Sequence, residues 1–150
     1  MVRWLVAFVI AVVVMLVLGT AAHSFMVQEA WSAAVQQGEG AAPALPLADR
    51  IGWFTHDLIG MAPLFGALSA IALFVAFLAG TFLARFTGLR PIVFAVAGAV
   101  AIFILFTALK WQLGSVGVFG ARGTMGLSLQ MAAGLIAGLV FAALTRPKEA

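Results

Sequence analysis

The side chains of this 150-residue chain that could do chemistry are few, and they cluster near one end of its apolar segments. These candidate residues are His23, Glu29, His56, Asp57, Lys110, Arg122 and Gln130. His23 closes the first apolar segment and His56 precedes the second, so antiparallel helices would bring the two imidazoles to a similar depth. Two facing histidines can hold a haem, and with Met26, Glu29 or Asp57 they could hold copper or zinc.

A haem- or metal-binding redox component is therefore one hypothesis for this chain. The ligand spacing has no specific signature, and there is no second histidine pair to build an electron path across a membrane. We expect instead that both histidines hydrogen-bond neighbouring carboxylates and that the chain carries no cofactor.

Arg122 and Gln130 form a second candidate pair near the start of the last apolar segment. An arginine at such a boundary needs a carboxylate, a lipid phosphate or carbonyl groups, and Asp57 is the expected partner ahead of Glu29. Gln130 is the deepest strongly polar side chain of its segment, and its expected role is an interhelical hydrogen bond. A lipid or small-solute carrier or channel with an outer-facing site is the alternative to a structural role.

Composition places these residues in a membrane protein, because 65% of the chain is hydrophobic and only 9% is charged. Four apolar blocks of about bilayer length predict an all-α, integral membrane bundle of four transmembrane helices in one domain, residues 1–150. The expected helices are 4–37, 49–84, 91–110 and 123–145, with an outer linker at 38–48. The absence of cysteine excludes disulfides and thiolate metal sites, and no catalytic motif is present, so we expect no enzyme.

Small residues recur at every fourth position of the last segment, at Gly126, Gly134 and Gly138, with Gln130 in the same row. This spacing lets two helix backbones approach closely, so we expect this row at a helix–helix contact. A second row of small residues includes Gly66.

Basic residues next to the apolar segments predict the orientation. Five lie on one side, Arg3, Arg85, Arg90, Arg146 and Lys148, and three on the other, Arg50, Lys110 and Arg122. Both termini should therefore be cytoplasmic. The net charge of +3 does not indicate nucleic-acid binding, because the basic residues lie at helix ends. The first segment also fits a cleaved secretory signal, but we expect a retained first helix.

Two segments of the chain are similar to a known group of proteins. They are the run from Gly120 to Ala142 and the segment His56-Asp57-Leu58-Ile59-Gly60-Met61-Ala62-Pro63-Leu64. In these segments and in its four-span layout, the chain resembles a group of small four-helix inner-membrane proteins of bacteria whose function is uncharacterised. The resemblance implies the fold and a place in a bacterial inner membrane. We expect a non-catalytic accessory subunit that contacts lipid and packs with itself or with a larger membrane complex.

Overall fold

The computed structural model describes residues 2–39, 45–114 and 118–146, and within these ranges it contains four long α-helices. They are α1 (Val2–Glu39), α2 (Leu47–Thr87), α3 (Arg90–Leu113) and α4 (Gly123–Leu144), with a 3₁₀ turn at Phe119–Ala121 before α4. Each of the four is long and apolar enough to cross a membrane. The predicted all-helical architecture, with four helices that could each span a membrane, is confirmed.

The helix bounds differ from the expected ones by three residues or fewer. The second helix begins at Leu47, directly after Pro46, rather than at residue 49, and it ends at a left-handed Gly88. The predicted linker 38–48 is shorter than expected, because α1 continues through Glu39. Residues 40–44 of that linker lie outside the described residues.

The helices form a ring in chain order, in which α1 contacts α2, α2 contacts α3, α3 contacts α4 and α4 contacts α1. Aromatic side chains fill the centre of one half of this ring. The rings of Phe77 and Phe141 stack with centroids 4.4 Å apart, and Phe94 meets Phe141 edge-on at 4.9 Å. Burial of these large aromatic side chains stabilises the packing of the four helices through dispersion contacts.

Glycines bring α3 and α4 into backbone contact. A Cβ atom added at Gly134 would lie 2.5 Å from the Gly98 carbonyl oxygen, and one at Gly138 would overlap the carbonyl oxygen of Phe94. Gly126 instead meets the carbonyl of Gly120 in the 3₁₀ turn. A Cβ at Gly66 of α2 would meet only the Leu16 methyl groups, at 3.8 and 3.9 Å, so packing there is loose.

The first two helices are much longer than the last two. At about 1.5 Å per residue, α1 (38 residues) and α2 (41 residues) are each about 60 Å long, whereas α3 and α4 are about 35 Å. Residues 26–39 of α1 and 47–59 of α2 therefore project beyond α3 and α4, and we call this pair of segments the projecting hairpin. We call the bundle end at its base the polar end, and the opposite end, at Arg3 and Arg146, the arginine end.

Candidate functional site

The polar end is closed by the turn that leads into α4, which folds back against α1. The backbone N–H of Gly120 donates a hydrogen bond of 3.0 Å to His23 Nδ1. A side chain at Gly120 would overlap the Cα of His23, and Ala121 beside it is buried. Because Nδ1 accepts this bond, the proton of a neutral His23 imidazole lies on Nε2.

Gln130 of α4 lies deeper in the bundle than the His23–Gly120 contact and is fully buried, with 0% of its surface exposed. Its Nε2 donates a 2.8 Å hydrogen bond to the carbonyl oxygen of Gly19 in α1. Its Oε1 is buried without a hydrogen-bond partner among the described residues. Phe65 of α2 approaches the same point, since a Cβ at Gly19 would lie 2.9 Å from its ring and from Oε1. The amide therefore links α4 to α1.

Three further polar side chains of α1 are buried and were not predicted as site residues. Thr20, Ser24 and Gln28 recur at every fourth position and share one face of the helix. Gln28 Nε2 donates to Ser24 Oγ at 3.2 Å and to the carbonyl of Arg50 at 3.3 Å, which ties the projecting hairpin together. The spacing of four residues between these polar side chains was the signal in the sequence that could have identified this row.

The two histidines have different surroundings. The His56 side chain is 90% exposed, and its Nδ1 lies 3.8 Å from Oδ1 of the adjacent Asp57. His23 is half-buried against Gly120. Glu29 is exposed on the projecting hairpin. Within the described ranges, no group of three or more histidine and carboxylate side chains is arranged to hold a metal ion.

Lys110 and Arg122 lie where α3 ends and α4 begins. Lys110 lines a cavity of about 370 Å³ between these helices, whose other lining residues are Phe103, Phe106, Thr107, Ala121, Gly123, Thr124 and Leu127. Arg122 occupies the N-cap position of α4, and its side chain is exposed. The pairing of Arg122 with Asp57 stays a prediction.

The structure thus brings together some of the predicted site residues and separates others. His23 and Gln130 both join α1 to the region of α4, whereas His56, Glu29, Lys110 and Arg122 lie exposed around that end. What results is a closed, hydrogen-bonded junction, with an open cavity beside Lys110. Comparison of the chain with protein-family models, with curated proteins and with solved structures found no match.

Proposed function

We propose that this protein is a non-catalytic membrane subunit that packs, through its projecting hairpin, against a helix of a second membrane protein or of a second copy. The observation that carries the proposal is a row of exposed apolar side chains on the projecting part of α2. Leu47, Ile51 and Ile59 are exposed to 72, 56 and 73%. They lie at spacings of four and eight residues, which places them on one face.

This row differs from the exposed apolar side chains elsewhere in the bundle. Two of its three residues, Leu47 and Ile51, precede the apolar run that begins at Leu58, in a segment that also carries Asp49, Arg50, His56 and Asp57. Such a segment belongs at the membrane surface or beyond it, where lipid tails do not cover apolar groups. Exposed apolar side chains in that setting indicate a protein contact.

A row of small residues runs beside the apolar one. Ala48, Gly52 and Gly60 lie in this row at multiples of four residues, and the row is interrupted once, by His56. A Cβ at Gly52 or Gly60 would meet nothing within 4 Å. A ridge of large side chains next to a groove of small ones is the surface that a second helix packs against. The partner is therefore expected to present a helix with apolar and small residues.

The hairpin is held rigid enough to act as a docking element. Trp31 of α1 and Trp53 of α2 pack edge-to-face with ring centroids 5.8 Å apart. Gln28 adds the hydrogen bond to the Arg50 carbonyl at the same level. A pre-organised surface loses less conformational entropy when it binds than a flexible one.

The test is the size of the assembly extracted from native membranes, measured by native mass spectrometry. We expect the wild-type protein to carry a second polypeptide, and the double variant Ile51→Gln/Ile59→Gln to lose it. Both positions are exposed and glutamine is a good helix former, so the fold should persist. The matched control, Ile51→Leu/Ile59→Leu, keeps the apolar surface and should keep the partner. A wild-type protein that is monomeric throughout would refute the proposal.

A ligand-handling role is the second candidate function, and the cavity beside Lys110 favours it. This cavity joins apolar walls to one ammonium group and two threonine hydroxyls, Thr107 and Thr124. That combination suits an amphipathic molecule with an anionic head. In the native mass spectrum, a ligand in this cavity would appear as a small molecule retained by the wild-type protein and absent from the Lys110→Gln variant.

A further inference from the structure

Two arginines from different helices converge on the last residues of α4 at the arginine end. Arg3 of α1 donates from Nε to the Leu144 carbonyl at 2.8 Å, and from Nη2 to the carbonyl of Arg146. Arg90 of α3 donates from Nη2 to the carbonyl and hydroxyl oxygens of Thr145, at 3.4 and 3.2 Å. The guanidinium groups of Arg3 and Arg90 thus contact three successive residues, the last of which, Arg146, carries a guanidinium of its own. We call these three side chains the arginine cluster.

Among the described residues, the arginine cluster carries more positive charge than its surroundings neutralise. The C-terminal end of α4 contributes the equivalent of about half a negative charge. The described carboxylate side chains, Glu29, Asp49 and Asp57, all belong to the projecting hairpin.

The cluster also keeps free hydrogen-bond donors. A guanidinium has five N–H groups, and Arg90 directs the two bonds above from one nitrogen only. The Arg146 side chain is exposed and donates to no other side chain or carbonyl in the described ranges. Planar guanidinium groups with free donors bind phosphate in a bidentate manner.

Aromatic side chains orient Arg90 and surround Trp4, the neighbour of Arg3. The Arg90 guanidinium lies over the Phe94 ring, 5.3 Å from its centroid, which orients it before any ligand binds. Trp4, next to Arg3 in sequence, packs on Phe8 and edge-on against Phe141. Tryptophan is enriched at the membrane–water interface, so the cluster lies at the depth of lipid headgroups.

We propose that the arginine cluster binds the phosphate group of an anionic phospholipid. Arg90, stacked and hydrogen-bonded, provides the fixed part of the site, and Arg146 provides donors that no other described residue uses. The group that the arginine cluster recognises is a phosphate oxyanion. A lipid headgroup and a free phosphate ion both supply this group. Basic pockets between transmembrane helices are known to hold anionic headgroups, which fits this location.

The test measures the thermal unfolding of the detergent-purified protein with added phosphatidylglycerol, phosphatidylcholine or inorganic phosphate. We expect phosphatidylglycerol to raise the midpoint and phosphatidylcholine to raise it much less. Arg146→Gln should remove most of the phosphatidylglycerol shift and leave the lipid-free midpoint unchanged, since that side chain holds no other element. Arg90→Gln should remove the shift too, but it also lowers the lipid-free midpoint because Thr145 loses its donor.

Arg85→Gln is the matched control, because it removes the same charge at the same bundle end, from the exposed last turn of α2. It should keep the full phosphatidylglycerol shift. Equal losses for Arg85→Gln and Arg146→Gln would mean general surface electrostatics and would overturn the site. A shift produced equally by inorganic phosphate would assign the site to the free ion rather than to lipid.

Discussion

At the scale of single residues, His23 is the side chain on which the polar end depends. Its Nδ1 accepts the Gly120 N–H, and the backbone of the turn packs directly on its Cα. An asparagine places an amide oxygen near the position of Nδ1, whereas a leucine offers no acceptor. A buried N–H without a partner costs about 1–3 kcal/mol.

We therefore predict that His23→Leu destabilises the protein by about 1–3 kcal/mol and that His23→Asn retains most of the stability. Thermal unfolding in detergent measures the cost, and hydrogen exchange at the Gly120 amide reports the bond itself. Faster exchange in the leucine variant alone is the expected pattern. Equal exchange in both variants would show that the turn does not depend on an acceptor at this position.

Gln130 shows what a sequence can and cannot predict about a single residue. A lone amide in an uncharged segment has to find a partner within the bundle, so an interhelical role could be expected. Its partner is the carbonyl of Gly19, and a glycine carbonyl has no side-chain signature in the sequence. The His23–Gly120 contact could not be predicted for the same reason, because a backbone N–H has no sequence signature either. The exposed residues His56 and Glu29 became candidates only because of their charge or residue type.

At the scale of elements, close backbone contact defines the pair α3 and α4. The row at Gly134 and Gly138 was recognisable by its spacing, but its counterpart, Gly98 with the Phe94 carbonyl, follows only from the register of the two helices. Hydrophobic run length predicted where each helix lies, because a bilayer fixes the length of a span. The expected bounds 4–37 and 49–84 already extended the first two helices past their apolar runs, but run length could not predict that the two extensions pair as one hairpin.

We predict that Gly98→Ala and Gly138→Ala each destabilise the bundle by about 1–3 kcal/mol or more, because the new methyl group would overlap a backbone carbonyl of the facing helix. Gly66→Ala is the matched control. Its methyl group would find only ordinary contacts, and alanine gains about 0.5–1 kcal/mol of helix propensity over glycine. Unfolding at increasing concentrations of a denaturing detergent gives the change in unfolding free energy for all three variants. A loss at Gly66 as large as that at Gly138 would argue against close α3–α4 contact as the cause.

At the scale of the whole molecule, charge is divided between the two ends. The described carboxylate side chains lie on the projecting hairpin, and the arginine cluster lies at the opposite end. This division connects the two proposals, because an anionic lipid at the arginine end would anchor the bundle while the hairpin at the other end contacts a partner. It also bears on the direction of insertion, since flanking arginine and lysine residues on the cytoplasmic side set the topology.

The last prediction is that the arginine end and both termini are cytoplasmic, with the projecting hairpin on the outer side. The basis is the split of five basic residues against three between the two ends. Alkaline phosphatase, which folds only outside the cytoplasm, should be active when fused after residue 40 and inactive when fused to the C-terminus. Green fluorescent protein at the C-terminus should fluoresce, as the complementary control. Phosphatase activity at the C-terminus would reverse the orientation and place the hairpin, with its exposed apolar row, in the cytoplasm.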